Sequence, residues 1–216
     1  MLRKVFWEDP YLTHLDTEVV TVDGDAVTLA ATIIYAFSGG QESDNGTIAG
    51  YEVIEARKNG QDIIYTLSPG HGLTPGQKVA TAIDWERRYR LMRLHFAAEI
   101  VLEIVYRDLG PIEKIGAHIA PDKARIDFAR AEPVTPELPT LAARANAIIA
   151  ADLPITSAFS DNGAERRFWQ VQGFDPVPCG GTHLKRTSEV GTITLKRRNI
   201  GKGKERIEIL LAEYAC

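Results

Sequence analysis

The sequence predicts an α+β protein in two parts: a small N-terminal antiparallel β-barrel, then a mixed domain with a central helix packed on an antiparallel sheet. Three observations predict it. Short apolar segments parted by Gly, Asn and Asp turns fill residues 1–83, one unbroken helical pattern runs from Asp84 to Leu109, and strands and helices mix after it. The boundary falls at the start of the long helix, giving domains of residues 1–83 and 84–216.

In the first part, Val19 to Val22 and Ala26 to Ala31 flank Asp23-Gly24-Asp25, and Tyr51 to Arg57 and Gln61 to Leu67 flank Asn59-Gly60. Both are hairpin signals, because Asn and Gly accept the positive φ of a tight turn. Between them, Ser38-Gly39-Gly40-Gln41-Glu42-Ser43-Asp44-Asn45-Gly46 is too rich in glycine and small polar residues to be a strand. Leu73-Thr74-Pro75-Gly76-Gln77 makes a further turn before the strand Lys78 to Ile83.

The long helix has Asp84 as its N-cap, apolar Trp85, Tyr89, Met92, Phe96 and Ile100 at steps of three and four, and Gly110-Pro111 as its stop. From Leu91 onward apolar residues occupy nearly every face, so the second half is expected inside the domain. After it, Lys114 to Ile119 and Lys123 to Phe128 read as strands joined by Ala120-Pro121-Asp122. Pro136 to Asp152 reads as a helix with Leu141, Ala145, Ile148 and Ile149 on one side, and Ala164 to Val171 as a shorter one. Gly191 to Arg197 and Glu205 to Ala212 form a hairpin around Asn199-Ile200-Gly201-Lys202-Gly203.

A net charge of -4 excludes a surface that binds nucleic acid all over. A local patch remains: Lys185, Arg186, Lys196, Arg197, Arg198, Lys202, Lys204 and Arg206 crowd the C-terminal section, and Arg87, Arg88, Arg90 and Arg93, on a helix start expected to be exposed, extend it. Neither a membrane span nor a secretion signal is expected from the hydropathy pattern, and the cytoplasm is the default location. Cys179 and Cys216 could pair, but a reducing compartment argues against it, and Cys179 is read as a free thiol or a ligand.

His95 and Glu99, one helical turn apart, share a face and can hold one ion between them, although a plain hydrogen-bonded pair has the same spacing. In Pro178-Cys179-Gly180-Gly181-Thr182-His183 two glycines let the chain turn tightly enough to aim a thiol and an imidazole at one point; the plain alternative is a glycine turn with a buried thiol. Thiolate, imidazole and carboxylate are zinc's ligand types, and His95, Glu99, Cys179 and His183 would complete a tetrahedral set.

These residues resemble the alanyl-tRNA editing proteins, free-standing relatives of the editing domain of alanyl-tRNA synthetase that are also similar to the second additional domain of threonyl-tRNA synthetase. The resemblance rests on Asp84-Trp85-Glu86-Arg87-Arg88, on Arg93 and His95, on Cys179-Gly180-Gly181-Thr182-His183, on Gly39-Gly40-Gln41 with Asp44 and Gly46, on Arg125-Ile126-Asp127-Phe128 and on Gly201-Lys202-Gly203. It implies an editing-type second domain and a zinc hydrolase that removes serine or glycine from tRNA specific for alanine. Nucleotide and ATP binding come with it as family attributes.

One departure matters: the family pattern on the helix is His-x-x-x-His, and here Glu99 stands at the second position. Three outcomes are open. Glu99 ligates the metal; it stays outside three protein ligands as a general base; or the site has lost its metal. Gln41 and Thr182 are the further candidate catalytic residues. The Gly39-Gly40-Gln41 segment offers backbone and amide donors to a developing oxyanion, and Thr182 could orient the ester or the ribose, or simply bond within its loop. For tRNA, the candidates are Arg87, Arg88, Lys196, Arg197, Arg198, Lys202 and Lys204. Two rival readings stand beside this one: a zinc hydrolase of another small aminoacyl ester or amide, and a non-catalytic tRNA-binding module with a degenerate site.

Overall fold

The computed structural model describes residues 2–212, and Cys216 lies outside them. The chain divides into two compact units. One holds the chain up to Ser38 together with Glu42–Tyr89; the other holds Gly39–Gln41 and the chain from Arg90 onward.

In the first unit, β1 (Arg3–Lys4), the short helix α1 (Val5–Glu8), β2 (His14–Asp23), β3 (Ala26–Leu29), β4 (Ala31–Thr32), β5 (Gly46–Ile48), β6 (Tyr51–Asn59), β7 (Asp62–Leu67) and β8 (Lys78–Ile83) follow one another. Where the sequence predicts a barrel, six strands pair in the ring β2-β3-β7-β6-β5-β8, with β2 bonded to both β3 and β8. Both expected hairpins are present, β2 with β3 and β6 with β7, and Gly60 sits in its turn at φ +61°. Val19, Val27, Ile33, Ile34, Ile48, Ile63, Tyr65 and Leu67 form the buried apolar core.

Helix α2 (Trp85–Leu109) starts where the sequence places it: Asp84 Oδ1 accepts the N–H of Arg87 at 3.1 Å. It ends at Gly110, whose φ of +80° no side-chain-bearing residue adopts cheaply. From Leu91 to Val105 nearly every apolar residue is buried, including Leu91, Met92, Leu94, Phe96, Ala97 and Val101 with no exposure at all. Each large side chain so buried contributes about 1.5–3 kcal/mol, which is what holds a helix without a polar face inside the protein.

The second unit continues with β9 (Lys114–Ile119), β10 (Ala124–Ala129), α3 (Leu138–Ala150), β11 (Thr156–Asp161), β12 (Arg166–Gln170), β13 (Val177–Pro178), a single 3-10 turn at Thr187–Val190, β14 (Ile193–Asn199) and β15 (Lys204–Leu211). Four strands make an antiparallel sheet in the order β14-β15-β10-β9. Gly39–Gln41 docks beside β9: the N–H of Ile119 donates to the Gly40 carbonyl at 2.8 Å, and Gln41 bridges Ile119 in parallel. Gly40 has φ +88°, and a Cβ there would lie 2.7 Å from the Ala117 carbonyl oxygen, so only glycine fits.

One sequence expectation is corrected. Ala164 to Val171 is not a helix; Arg166–Gln170 is strand β12, the middle of a three-stranded sheet β11-β12-β13. Its burial alternates with period two, Arg167 and Trp169 inward and Arg166 and Gln170 outward. Because one inward residue is an arginine, apolar patterning does not reveal the strand.

Candidate functional site

The second unit brings three of the predicted donors together. His95 comes from the buried half of α2, Cys179 directly follows β13, and His183 lies in the loop beyond it. Their ligand atoms all lie within 4.8 Å of one another. Nε2 of His95 is 3.1 Å from Cys179 Sγ and Nε2 of His183 is 3.3 Å from it. Tetrahedral edges built from zinc bond lengths of about 2.0 Å to nitrogen and 2.3 Å to sulfur are about 3.5 Å, so the spacing suits a small divalent cation. Both histidines are buried and Cys179 is partly buried, so the three donors meet largely away from solvent.

The surroundings set the protonation of these groups. Burial lowers the pKa of His95, partly offset by the Glu99 carboxylate, and burial lowers that of His183 well below the ordinary value, with His95 and Arg167 adding to the effect. Both rings are therefore neutral with a lone pair to give. Burial pushes the Cys179 thiol up, and the Glu99 charge pushes it further, so the thiolate needs a cation beside it. The ring of His183 is oriented from behind by Ser157, whose hydroxyl lies 2.8 Å from Nδ1. That bond leaves Nε2 toward the cluster. Nothing in the sequence pattern distinguishes Ser157.

Two contacts shape the loop that carries Cys179 and His183. The Cys179 N–H donates to the Arg167 carbonyl at 2.9 Å, tying the thiol to β12. Gln41 Nε2 donates to Thr182 Oγ1 at 2.9 Å, and Thr182 N–H returns a 3.4 Å bond to Gln41 Oε1. Gln41 and Thr182 are both fully buried. In this structure the Gln41 amide and the Thr182 hydroxyl are engaged with each other, clasping the loop.

Glu99 does not join the three donors. Its Oε2 accepts the indole N–H of Trp169 at 2.9 Å, drawing the carboxylate toward β12. Trp169 itself is fully buried, edge-on to Phe96 with ring centroids 5.0 Å apart. A strand misread as a helix hid this partner.

The predicted nucleic-acid residues divide. Arg88 is corrected: it has no exposure, and its guanidinium is held by both oxygens of Asp44, which is buried as well, and by the carbonyls of Pro10 and Ile33. It is a structural cation of the first unit. Arg87 is half-buried and bonded to Glu42 and to the Ser43 carbonyl. Lys196, Arg198, Lys202 and Lys204 are exposed. The register of the four-stranded sheet puts Lys196 and Arg198 on the face that also carries Arg206, Arg125, Glu208 and Asp127, while Arg197 shares the other face with Ile207 and pairs with Glu205. Asp127 is chelated by Arg206 and Arg125, and Glu208 by Lys123 and Arg198, so cations outnumber acids on this face.

Among the described residues no helix is long and apolar enough to cross a membrane. The family model described as the threonyl and alanyl tRNA synthetase second additional domain matches residues 167–208. The chain is 32% identical over 223 residues to the alanyl-tRNA editing protein AlaX-M of Pyrococcus horikoshii, with 98% of each chain covered. It is 32% identical over 234 residues to AlaX-M of Saccharolobus solfataricus, covering 96% of this chain and 98% of that one. Against the alanine–tRNA ligase of Ignicoccus hospitalis it is 34% identical over 96% of its own length but 26% of the ligase. ATP binding, implied by the resemblance, has no counterpart in the two AlaX-M names.

Proposed function

The chain belongs to the family of alanyl-tRNA editing proteins, and from that premise we propose that it is a trans-acting aminoacyl-tRNA deacylase, hydrolysing the ester of serine or glycine wrongly joined to tRNA for alanine. The observation that carries this reading is the convergence of His95 with Cys179 and His183, the first two 84 residues apart in sequence, on one point. An aminoacyl ester is already activated, so a positioned water, a polarising group and a proton acceptor suffice.

Zinc is the metal we propose. Thiolate and imidazole are its ligand types, and His95, Cys179 and His183 would hold it. When bound, it supplies Lewis acidity toward the ester carbonyl. The two imidazoles present Nε2 and Cys179 presents Sγ. Glu99, kept out of that set by Trp169, accepts the proton of the attacking water; a carboxylate with one oxygen on an indole N–H retains lone pairs for it. Gln41 and Thr182 act as positioning residues, keeping the two ligands of the loop in place. The tRNA body lies against exposed Lys196, Arg198, Lys202 and Lys204, whose charges suit a phosphate backbone.

The test is deacylation of seryl- and glycyl-tRNA for alanine by metal-loaded protein, metal-free protein and Cys179→Ala. The expected result is amino acid release by the first and a loss of at least about a hundredfold in the others, the scale on which removing one electrostatic catalytic group acts. Equal turnover of a small aminoacyl ester lacking the tRNA body would favour a general esterase instead. Binding of tRNA without hydrolysis by the loaded protein would overturn the reading.

A further inference from the structure

One face of the three-stranded sheet is built into the site. In the antiparallel pairing of β11 with β12, Ser157 stands opposite Trp169 and Phe159 opposite Arg167. Residues two apart on a strand share a face, so these four side chains form one surface. Three of them already touch the cluster or its neighbours: Ser157 bonds His183, Trp169 bonds Glu99, and Arg167 Nη1 donates to the Gly181 carbonyl at 3.3 Å. Exposure rises along the row, from 0% at Trp169 and 6% at Arg167 to 40% at Phe159. Phe159 is thus the solvent end of the surface whose inner end orients the metal-binding residues.

A lone surface aromatic needs no explanation. Phe159 differs in its neighbours. The Arg167 guanidinium lies over its ring, 5.3 Å from the centroid, and the Arg167 backbone carbonyl holds Cys179. Arg167 thus touches both the Phe159 ring and, through its guanidinium and its carbonyl, the loop that carries Cys179 and His183. In an aminoacyl-tRNA the reacting ester is on the terminal ribose, so the base attached to that ribose must rest within one nucleotide's reach of the cluster. Unpaired bases are held by stacking on aromatic rings and guanidinium planes, an arrangement tolerant of base identity.

We infer that Phe159, backed by Arg167, is the stacking platform for the terminal unpaired nucleobase of the tRNA substrate. The inference rests on the deacylase reading and adds the subsite that seats the acceptor end. It assigns Phe159 to substrate binding and leaves the cluster to the chemistry.

The experiment uses tRNA whose terminal base is replaced by 2-aminopurine, which loses fluorescence on stacking, titrated with metal-loaded wild type, Phe159→Leu and Phe159→Trp. Wild type and Phe159→Trp are expected to quench the probe; Phe159→Leu is expected to lose the quench and to bind about tenfold or more weakly, the range for one base–aromatic stack. In deacylation, Phe159→Leu should raise KM with little change in kcat, at unchanged metal content. Quench and KM both unchanged in Phe159→Leu would overturn the inference, as would loss of metal in that variant, which would make Phe159 a support of the cluster. Wild type that quenches without hydrolysing would sink the deacylase reading and leave the platform standing.

Discussion

A Cβ atom on Gly181 would lie 2.6 Å from Nε2 of His95 and 3.0 Å from Oε1 of Gln41. The glycine is there for space, not for backbone freedom, since its φ is not positive. Gly181→Ala should therefore push the His95 ring off the cluster without unfolding the chain. The expected outcome is a fall in zinc affinity of about a hundredfold or more, beyond the range of an ordinary outer contact, measured by competition with a chromophoric chelator, with the far-UV circular dichroism unchanged.

Ser157→Ala removes the bond that orients His183 and leaves the ligand itself in place. Loss of such a contact typically lowers metal affinity about 10–100-fold. The same chelator competition checks it, and Ser157→Thr, which keeps the hydroxyl, should recover most of the affinity.

Arg88→Met should act on stability and not on tRNA. It leaves the Asp44 carboxylate buried without its cation, which costs about 3–5 kcal/mol, or a drop in Tm on the order of 10 °C for a chain of this size. The double variant Arg88→Met with Asp44→Leu removes both charges and should regain much of the loss, read by thermal melts.

Exposed Lys196, Lys202 and Lys204 should each contribute a phosphate contact. Changing any one to Gln is expected to flatten the plot of log K for tRNA against log salt by about 0.7–0.9. An unchanged slope in all three would place the tRNA elsewhere.

Glu205 and Glu208 contribute to the acid sensitivity of the four-stranded sheet. The hydrogen bond from Arg197 holds the Glu205 carboxyl below its usual value, and the bond from Lys123, with Arg198 adding, does so for Glu208. A depressed folded pKa contributes stability that is fully present above the unfolded value of about 4.3 and is lost as pH falls through the folded one. The urea midpoint should therefore hold from pH 7 to about 5 and fall below about 4.3, and Glu205→Gln should make that fall shallower.

Much of the site was legible because it sits on strong local signals. The cap at Asp84, the unbroken apolar run and Gly110 fixed α2, and His95 follows from it by position. The two glycines between Cys179 and His183 announced a tight loop. What escaped has a common cause: a charged or polar residue facing inward. Arg167 disguised β12, the polar run Thr156–Asp161 disguised β11, and with those strands went Ser157 and Trp169, hence the true partner of Glu99. Arg88 was misjudged in the same way. Its place three and four residues before Leu91 and Met92 puts it on a buried stripe, but its partner Asp44 comes from a loop 44 residues away.

The clasp between Gln41 and Thr182 joins residues 141 apart in sequence, and the segment bearing Gln41 is separated from the rest of its unit by the intervening strands of the other. During synthesis the loop that carries Cys179 and His183 thus emerges long after the residue that secures it, and ring closure over so long a span comes late in folding. Assembly of the three donors is correspondingly tied to completion of nearly the whole polypeptide. A fragment cut at the start of α2 keeps His95, Cys179 and His183 yet forfeits the clasp, so the smallest piece expected to hold the three donors together reaches back to Gly39.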